Sequence, residues 1–403
     1  MIEITREIDG APDYEIGLPR TAPLVYDVAW PQEGEAPGVV LVIAGFGGDT
    51  DGAYSRGLRR HIVETTGMGA VGVRYHAFHA RHTNGAAVRI DPADHAALLG
   101  AAWLAKAPVG NPADFGEVCR ALGAAKVGIA PRVWIDPPHG EAQNFGVIQA
   151  LDHLAVIGDL LENAPPFDTR RIVVLGSSHG GYIAHMIAKF APSTLAAVID
   201  NSSYAQPPMN YLAIGDAPEY TVGFEGLSVH ARVRSAWTVS DRHAPNFYDR
   251  DRDLIRDLRY PPHLAAMRAS AADAGTQYFM VNAAVDPISP PVAKRRQQAA
   301  LARAGFRSEL SLVGPEQIDG KVFKAVTHGL DASLKGLFDR YIGRVVPREV
   351  PVDANRGAVV EYACVDRGYR FRHSAAAPYV TCEVYDLFED DEAPALAHPA
   401  AAA

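Results

Sequence analysis

Ile172-Val173-Val174-Leu175-Gly176-Ser177-Ser178-His179-Gly180-Gly181-Tyr182 is the stretch on which the fold turns. The first four residues are an apolar, mostly β-branched run after the polar boundary Asp168-Thr169-Arg170-Arg171, which predicts a buried strand. Ile183, Met186, Ile187 and Phe190 then recur at the spacing of one buried helical face. Between them, Gly176 and Gly180 flank Ser178 at two residues on either side, letting the backbone turn tightly and lift the hydroxyl above the sheet. The helix start aims its first N–H groups at the point where a negative oxygen would form, and the N–H of His179 is the natural first oxyanion donor.

Working outward, apolar runs alternate with helical patterns. Ile2 to Ile8 and Leu24 to Trp30 read as outer strands. Val39 to Ala44 reads as a buried strand ending in the glycine turn Gly45-Phe46-Gly47-Gly48. Tyr54, Leu58 and Ile62 mark the buried face of the next helix, and Ala70 to Tyr75 is the following strand. Ile148, Leu151, Leu154, Ile157 and Leu161 form a helical stripe leading to the strand before Ser178, and Ala196 to Asp200 forms the strand after it. Gln277 to Val285 and Glu309 to Val313 complete the series. Such alternation predicts an α/β fold with a mostly parallel central sheet, helices on both faces, and a ligand site beyond the carboxyl ends of the strands.

Two segments break the rhythm. Residues from about 76 to 143 are too long for a connection and contain a helical piece, Ala96 to Leu104, so they read as an insertion near the site. Residues from about 204 to 274, rich in proline, aromatics and charge, lie where a lid would cover the pocket. The expected organisation is a main domain over 1–345 carrying both insertions, a β extension over 346–388 and a flexible tail over 389–403. The extension shows strand patterns at Val359 to Ala363, Tyr369 to Phe371 and Tyr379 to Val384, suited to capping the core or joining two copies.

Composition narrows the function. Of 403 residues, 48% are hydrophobic and 21% charged, which fits a globular protein with one large core. A net charge of −9 offers no basic footprint for nucleic acid or an anionic membrane. Met1 to Glu7 has no charged-then-apolar leader pattern, and three scattered cysteines make a poor disulfide framework, so a cytoplasmic location is expected.

A serine hydroxyl becomes a strong nucleophile only when a positioned base takes its proton and an acid orients that base. With a nucleophile on such a turn, acid and base follow in that chain order, each in a loop beyond a strand. Asp286 follows the strand 277–285 and precedes the rigid Pro287-Ile288-Ser289-Pro290-Pro291, and His328 stands between the last strand and the terminal helix Ala332 to Ile342. They are the candidate acid and base. Asp200 also ends a strand and competes as the acid, with binding of turn N–H groups as its other role. His179 is too close in sequence to Ser178 to take its proton. The second oxyanion donor is assigned to Phe46 N–H, with Gly47 as the substitute. Gly45, Gly47, His76, Asn201 and Tyr204 are candidate pocket-lining residues. His76, His79 and His82 are spaced by threes, but without a placed carboxylate or cysteine ligand they read as pocket-lining or solvated, and no metal or cofactor is implied.

These residues resemble the α/β-hydrolase superfamily from about Ile2 to Ile342. Ser178-His179-Gly180-Gly181-Tyr182 is similar to the elbow of prolyl-oligopeptidase-type peptidases and related acyl hydrolases, whose acid and histidine fall on Asp286 and His328. The chain has no room for the large amino-terminal propeller of that family, which favours an esterase or deacylase over a peptidase. The length, insertions and carboxyl strands also resemble a bacterial α/β-hydrolase-like family of unknown function. The resemblance implies a serine esterase or acyl hydrolase acting on a small-molecule acyl ester or acylated metabolite. An acyltransferase with the same triad, a peptidase and a non-catalytic binding protein are the alternatives.

Overall fold

The structure is a computed structural model describing residues 1–79, 85–209, 220–352, 357–374 and 379–388. Its main sheet contains β1 (Ile2–Ile8), β2 (Leu24–Trp30), β3 (Val39–Ile43), β4 (Gly69–Arg74), β7 (Ile172–Ser177), β8 (Ala197–Asn201), β11 (Gln277–Ala283) and β12 (Ser308–Val313). Their spatial order is β1-β2-β4-β3-β7-β8-β11-β12. β2 runs antiparallel to β1 and β4, and every pairing from β4 through β12 is parallel. This is the α/β-hydrolase fold.

Side-chain alternation explains why the central strands are apolar on both faces. Val39, Leu41 and Ile43 point into one core and Val40 into the other; Ile172 and Val174 oppose Val173 and Leu175 in the same way. The first core is closed by α4 (Val147–Asn163), α5 (His179–Phe190), α7 (Pro261–Ala269) and α8 (Pro291–Arg303). The second is closed by α1 (Ala53–Thr66) and α9 (Leu334–Ile342). Each fully buried Val, Leu or Ile contributes about 1.5–3 kcal/mol, so the continuous runs in β3 and β7 anchor the site rigidly. The expected buried face of α1 needs one correction. Tyr54 is 53% exposed, and Leu58, Ile62 and Val63 do the packing while the Tyr54 hydroxyl accepts a bond from Leu334 N at 2.9 Å.

The two insertions meet. The first supplies β5 (Ala87–Arg89), α2 (Pro92–Leu104), α3 (Phe115–Ala124) and β6 (Arg132–Asp136); the second supplies β9 (Tyr220–Phe224), β10 (Leu227–Val233) and α6 (Arg250–Arg256). β10 pairs parallel with β6, giving a separate four-stranded sheet in the order β5-β6-β10-β9. Val133, Ile135, Val229, Ala231 and Val233 form its small core.

After α9, β13 (Val359–Ala363), β14 (Arg367–His373) and β15 (Val380–Asp386) make an antiparallel sheet. Its inner face lies on the elbow helix: Phe371 stacks on Phe190 with ring centroids 4.0 Å apart, and the Tyr362 hydroxyl donates to the Lys189 carbonyl. Among the described residues, no helix is long and apolar enough to cross a membrane.

Candidate active site

Ser178 joins β7 to α5 with φ 54° and ψ −118°, a conformation costly for a residue with a side chain. The surroundings enforce it. A β-carbon on Gly180 would stand 2.2 Å from the Ile43 carbonyl oxygen, so only glycine lets α5 press against the end of β3. Ser178 N donates to the Asn201 carbonyl at 2.7 Å, fixing the turn to the neighbouring strand.

The structure brings three of the predicted residues together. Ser178 Oγ lies 2.8 Å from His328 Nε2, and His328 Nδ1 lies 2.9 and 3.2 Å from the two carboxylate oxygens of Asp286. Nδ1 facing a carboxylate carries the proton, which leaves the Nε2 lone pair toward the hydroxyl. Asp286 is itself held: its Oδ1 accepts from Ile288 N at 2.9 Å and Ser289 N at 2.8 Å. Its side chain is fully buried, whereas that of His328 is 20% exposed, so the acid is shielded while the imidazole borders solvent. His328 opens a short 3-10 turn in which Gly329 and Leu330 both have positive φ.

Asn201, expected to line a pocket, is buried instead and has a bracing position. Its Nδ2 donates to Ser177 Oγ at 3.0 Å and to the Gly329 carbonyl at 3.1 Å. Tyr204 is likewise buried, with its hydroxyl 2.8 Å from His179 Nδ1. The rings of Phe46, Tyr75, Phe145 and Tyr182 also pack around the His179 imidazole. Burial pulls that imidazole down to about 3, so it stays neutral at ordinary pH.

The glycine turn lies against the elbow. Gly48 N donates to the Gly45 carbonyl at 2.9 Å, Gly47 has φ 70°, and a β-carbon on Gly45 would come 3.5 Å from Ser178 Cβ. As the first residue of α5, His179 has a backbone N–H with no partner inside the helix.

Other candidates sit elsewhere. His76 N donates to Asp152 at 2.7 Å, and its Nε2 faces the Ala142 carbonyl at 2.8 Å, so its hydrogen bonds go to α4 and the chain before it rather than to Ser178 or His328. It lines a small cavity with Arg20, His139 and Glu141. His82 lies outside the described residues. Asp200 does not touch His328; its carboxylate is taken by Lys294 at 2.7 Å, Ser203 Oγ at 2.6 Å and His185 at 3.1 Å. Neither Lys294 nor the buried pair Glu15–Arg256 stands out in the sequence, where nothing local marks these charged residues as buried.

The model of a family described as protein of unknown function, DUF2920, matches residues 4–111 and 125–377. The chain belongs to this family. No curated protein matches the chain. Solved structures similar to this family member include a puromycin-hydrolyzing peptidase of Mycobacterium tuberculosis, at 14% identity and a TM-score of 0.46 over 86% of this chain and 40% of the other. An acylaminoacyl peptidase of Pyrococcus horikoshii gives 14% identity and 0.46 over 86% and 42%. A Pyrobaculum calidifontis esterase gives 15% identity and 0.38 over 78% and 75%. The chain thus spans about two fifths of the length of each peptidase.

Proposed function

We propose that this DUF2920 member is a serine hydrolase that cleaves a carboxylic ester or acyl group of a small molecule through an acyl-serine intermediate. The observation that carries the proposal is the unbroken hydrogen-bonded series from Ser178 Oγ through His328 to the buried Asp286 carboxylate. His328 Nε2 takes the hydroxyl proton as Oγ attacks the acyl carbon, and Asp286 stabilises the imidazolium that forms. The backbone N–H groups of His179 and Phe46 receive the oxyanion, each contributing about 2.7–4 kcal/mol of barrier reduction. His328 then gives its proton to the leaving alcohol oxygen, the bond from acyl carbon to that oxygen breaks, and the alcohol departs. A water, deprotonated by the same nitrogen, attacks the acyl carbon; the bond from acyl carbon to Ser178 Oγ breaks, His328 returns the proton to Oγ, and the acid departs.

Labelling with a fluorophosphonate probe and mapping of the adduct by mass spectrometry tests this. The expected result is a single adduct on Ser178 in the wild type, absent from Ser178→Ala, His328→Gln and heat-denatured protein. Well-folded wild-type protein that takes no label, or takes it equally with His328→Gln, would remove the nucleophile role. A screen of short p-nitrophenyl esters with candidate alcohol acceptors then separates hydrolysis from acyl transfer by whether free acid or transferred ester accumulates.

A further inference from the structure

We propose that Lys294 is a positioning residue that sets the loop bearing Asp286 and, through Asp200, the helix bearing Ser178; the inference rests on the triad proposed above. Lys294 lies on the inward face of α8, fully buried, where a helix packed on a sheet ordinarily presents an apolar side chain. A buried ammonium is tolerated only with its protons satisfied. Here all three have acceptors: Asp200 Oδ2 at 2.7 Å, Ser203 Oγ at 2.9 Å and Gln297 Oε1 at 2.8 Å. Burial alone would raise the Asp200 carboxyl, yet Lys294 and His185 outweigh it and hold the group below the usual carboxylate range.

The cluster reaches both sides of the site. Toward the acid, the Ser203 carbonyl accepts from Ser289 Oγ at 2.5 Å, and Ser289 N is one of the two donors to Asp286 Oδ1. Asn282 Nδ2 holds the Ser289 carbonyl at 3.0 Å, completing the clamp on that loop. Toward the nucleophile, His185 of α5 bonds to Asp200, and a β-carbon on Gly181 would stand 2.6 Å from Asp200 Oδ1. Nucleophile helix and acid loop are therefore both referenced to one buried charge pair that takes no proton in the proposed reaction.

Two measurements on the full chain test this: saturation kinetics of fluorophosphonate labelling, and the far-downfield proton NMR signal of His328 Nδ1–H, assigned with His328→Gln. The variants are Lys294→Met and the double Asp200→Asn/Lys294→Met, which leaves no unpaired buried charge and so keeps the experiment usable if the single variant unfolds. Leu122→Ala, in the separate small core between α2 and α3, serves as a control destabilised away from the site. In the folded Lys294 variants, the maximal labelling rate should fall roughly tenfold while probe affinity stays unchanged. The His328 signal should move upfield or broaden. Leu122→Ala should lose melting temperature and keep both. Wild-type rate and an unmoved signal in the double variant would overturn the proposal, as would an equal rate loss in Leu122→Ala. Absence of labelling and of the downfield signal in the wild type would instead count against the triad itself.

Discussion

Asn201 Nδ2 bonds at once to the Ser177 hydroxyl and to the Gly329 carbonyl, so one side chain at the end of β8 ties the residue before Ser178 to the residue after His328. The separation of Ser178 and His328, the proposed nucleophile and base, is thereby braced from a third strand as well as by the bond they make with each other. Asn201→Ala should slow labelling of Ser178 by roughly 10- to 100-fold and cost about 1–3 kcal/mol in stability through the unpaired buried groups. Labelling rate and urea unfolding read the two effects separately, and a wild-type labelling rate would show that the brace is dispensable.

Gly180 should accept no side chain. Its missing β-carbon is what lets α5 approach β3, so Gly180→Ala must push the helix outward and move the His179 N–H with it. The expected loss is about 1–3 kcal/mol of stability, accompanied by loss of probe labelling even at temperatures where the variant remains folded by circular dichroism.

Acid should weaken the protein in a defined window. Unfolded imidazoles titrate near 6.5, whereas burial holds His153 down to about 4 and His179 down to about 3. The unfolded chain therefore takes up protons that the native state refuses. Stability from these groups is complete above pH 6.5 and falls by about 1.4 kcal/mol per pH unit for each imidazole as pH drops toward 4 and then 3. Urea midpoints from pH 7.5 to 5 measure the slope. His179→Phe, which keeps a ring in the aromatic surround, should lower it by about one proton's worth.

Glu15 and Arg256 form a fully buried, two-point ion pair at 2.9 and 2.5 Å, and Arg256 also donates to the carbonyls of Phe145 and Asn144. Phe145, at φ 65°, is the ring packed closest to His179 in this surround, with centroids 4.7 Å apart. Arg256→Met should cost about 3–5 kcal/mol because it strands the carboxylate, and Glu15→Gln/Arg256→Met should recover part of that loss. Thermal melts of the three proteins test the ranking; a double variant no better than the single one would contradict it.

Much of the main sheet is legible in the sequence because β3, β7, β8 and β11 each contain an unbroken apolar run of at least three residues. Ser178 and Asp286 are legible because each stands just past a strand end, and His328 because it lies in the loop between the last strand of the main sheet and the helix that follows it; strand order then brings the three together. Lys294 is hidden in Lys294-Arg295-Arg296, a run that reads as a solvated helix face; nothing local distinguishes the one lysine that turns inward. Asn201 is seen as a residue near the pocket, but its two bonds depend on where the Gly329 turn comes to rest. Tyr54 keeps the helical spacing of a buried residue and yet lies outward, its hydroxyl taken by Leu334 N at the start of α9, a partner that spacing within one helix does not reveal. The pairing of β6 with β10 is invisible for a different reason. Each is a short alternating strand, and no periodicity within one segment names its partner in another.

That pairing imposes a schedule on synthesis. β6 leaves the ribosome well before β10, and the Ser178 turn emerges between them, so the outer sheet stays half-built until after Ser178 has appeared. Asp286 and His328 follow later still. On the proposed mechanism, the nascent chain therefore carries Ser178 for some time without its base, and the serine is activated only after His328 and the segments that hold it have emerged.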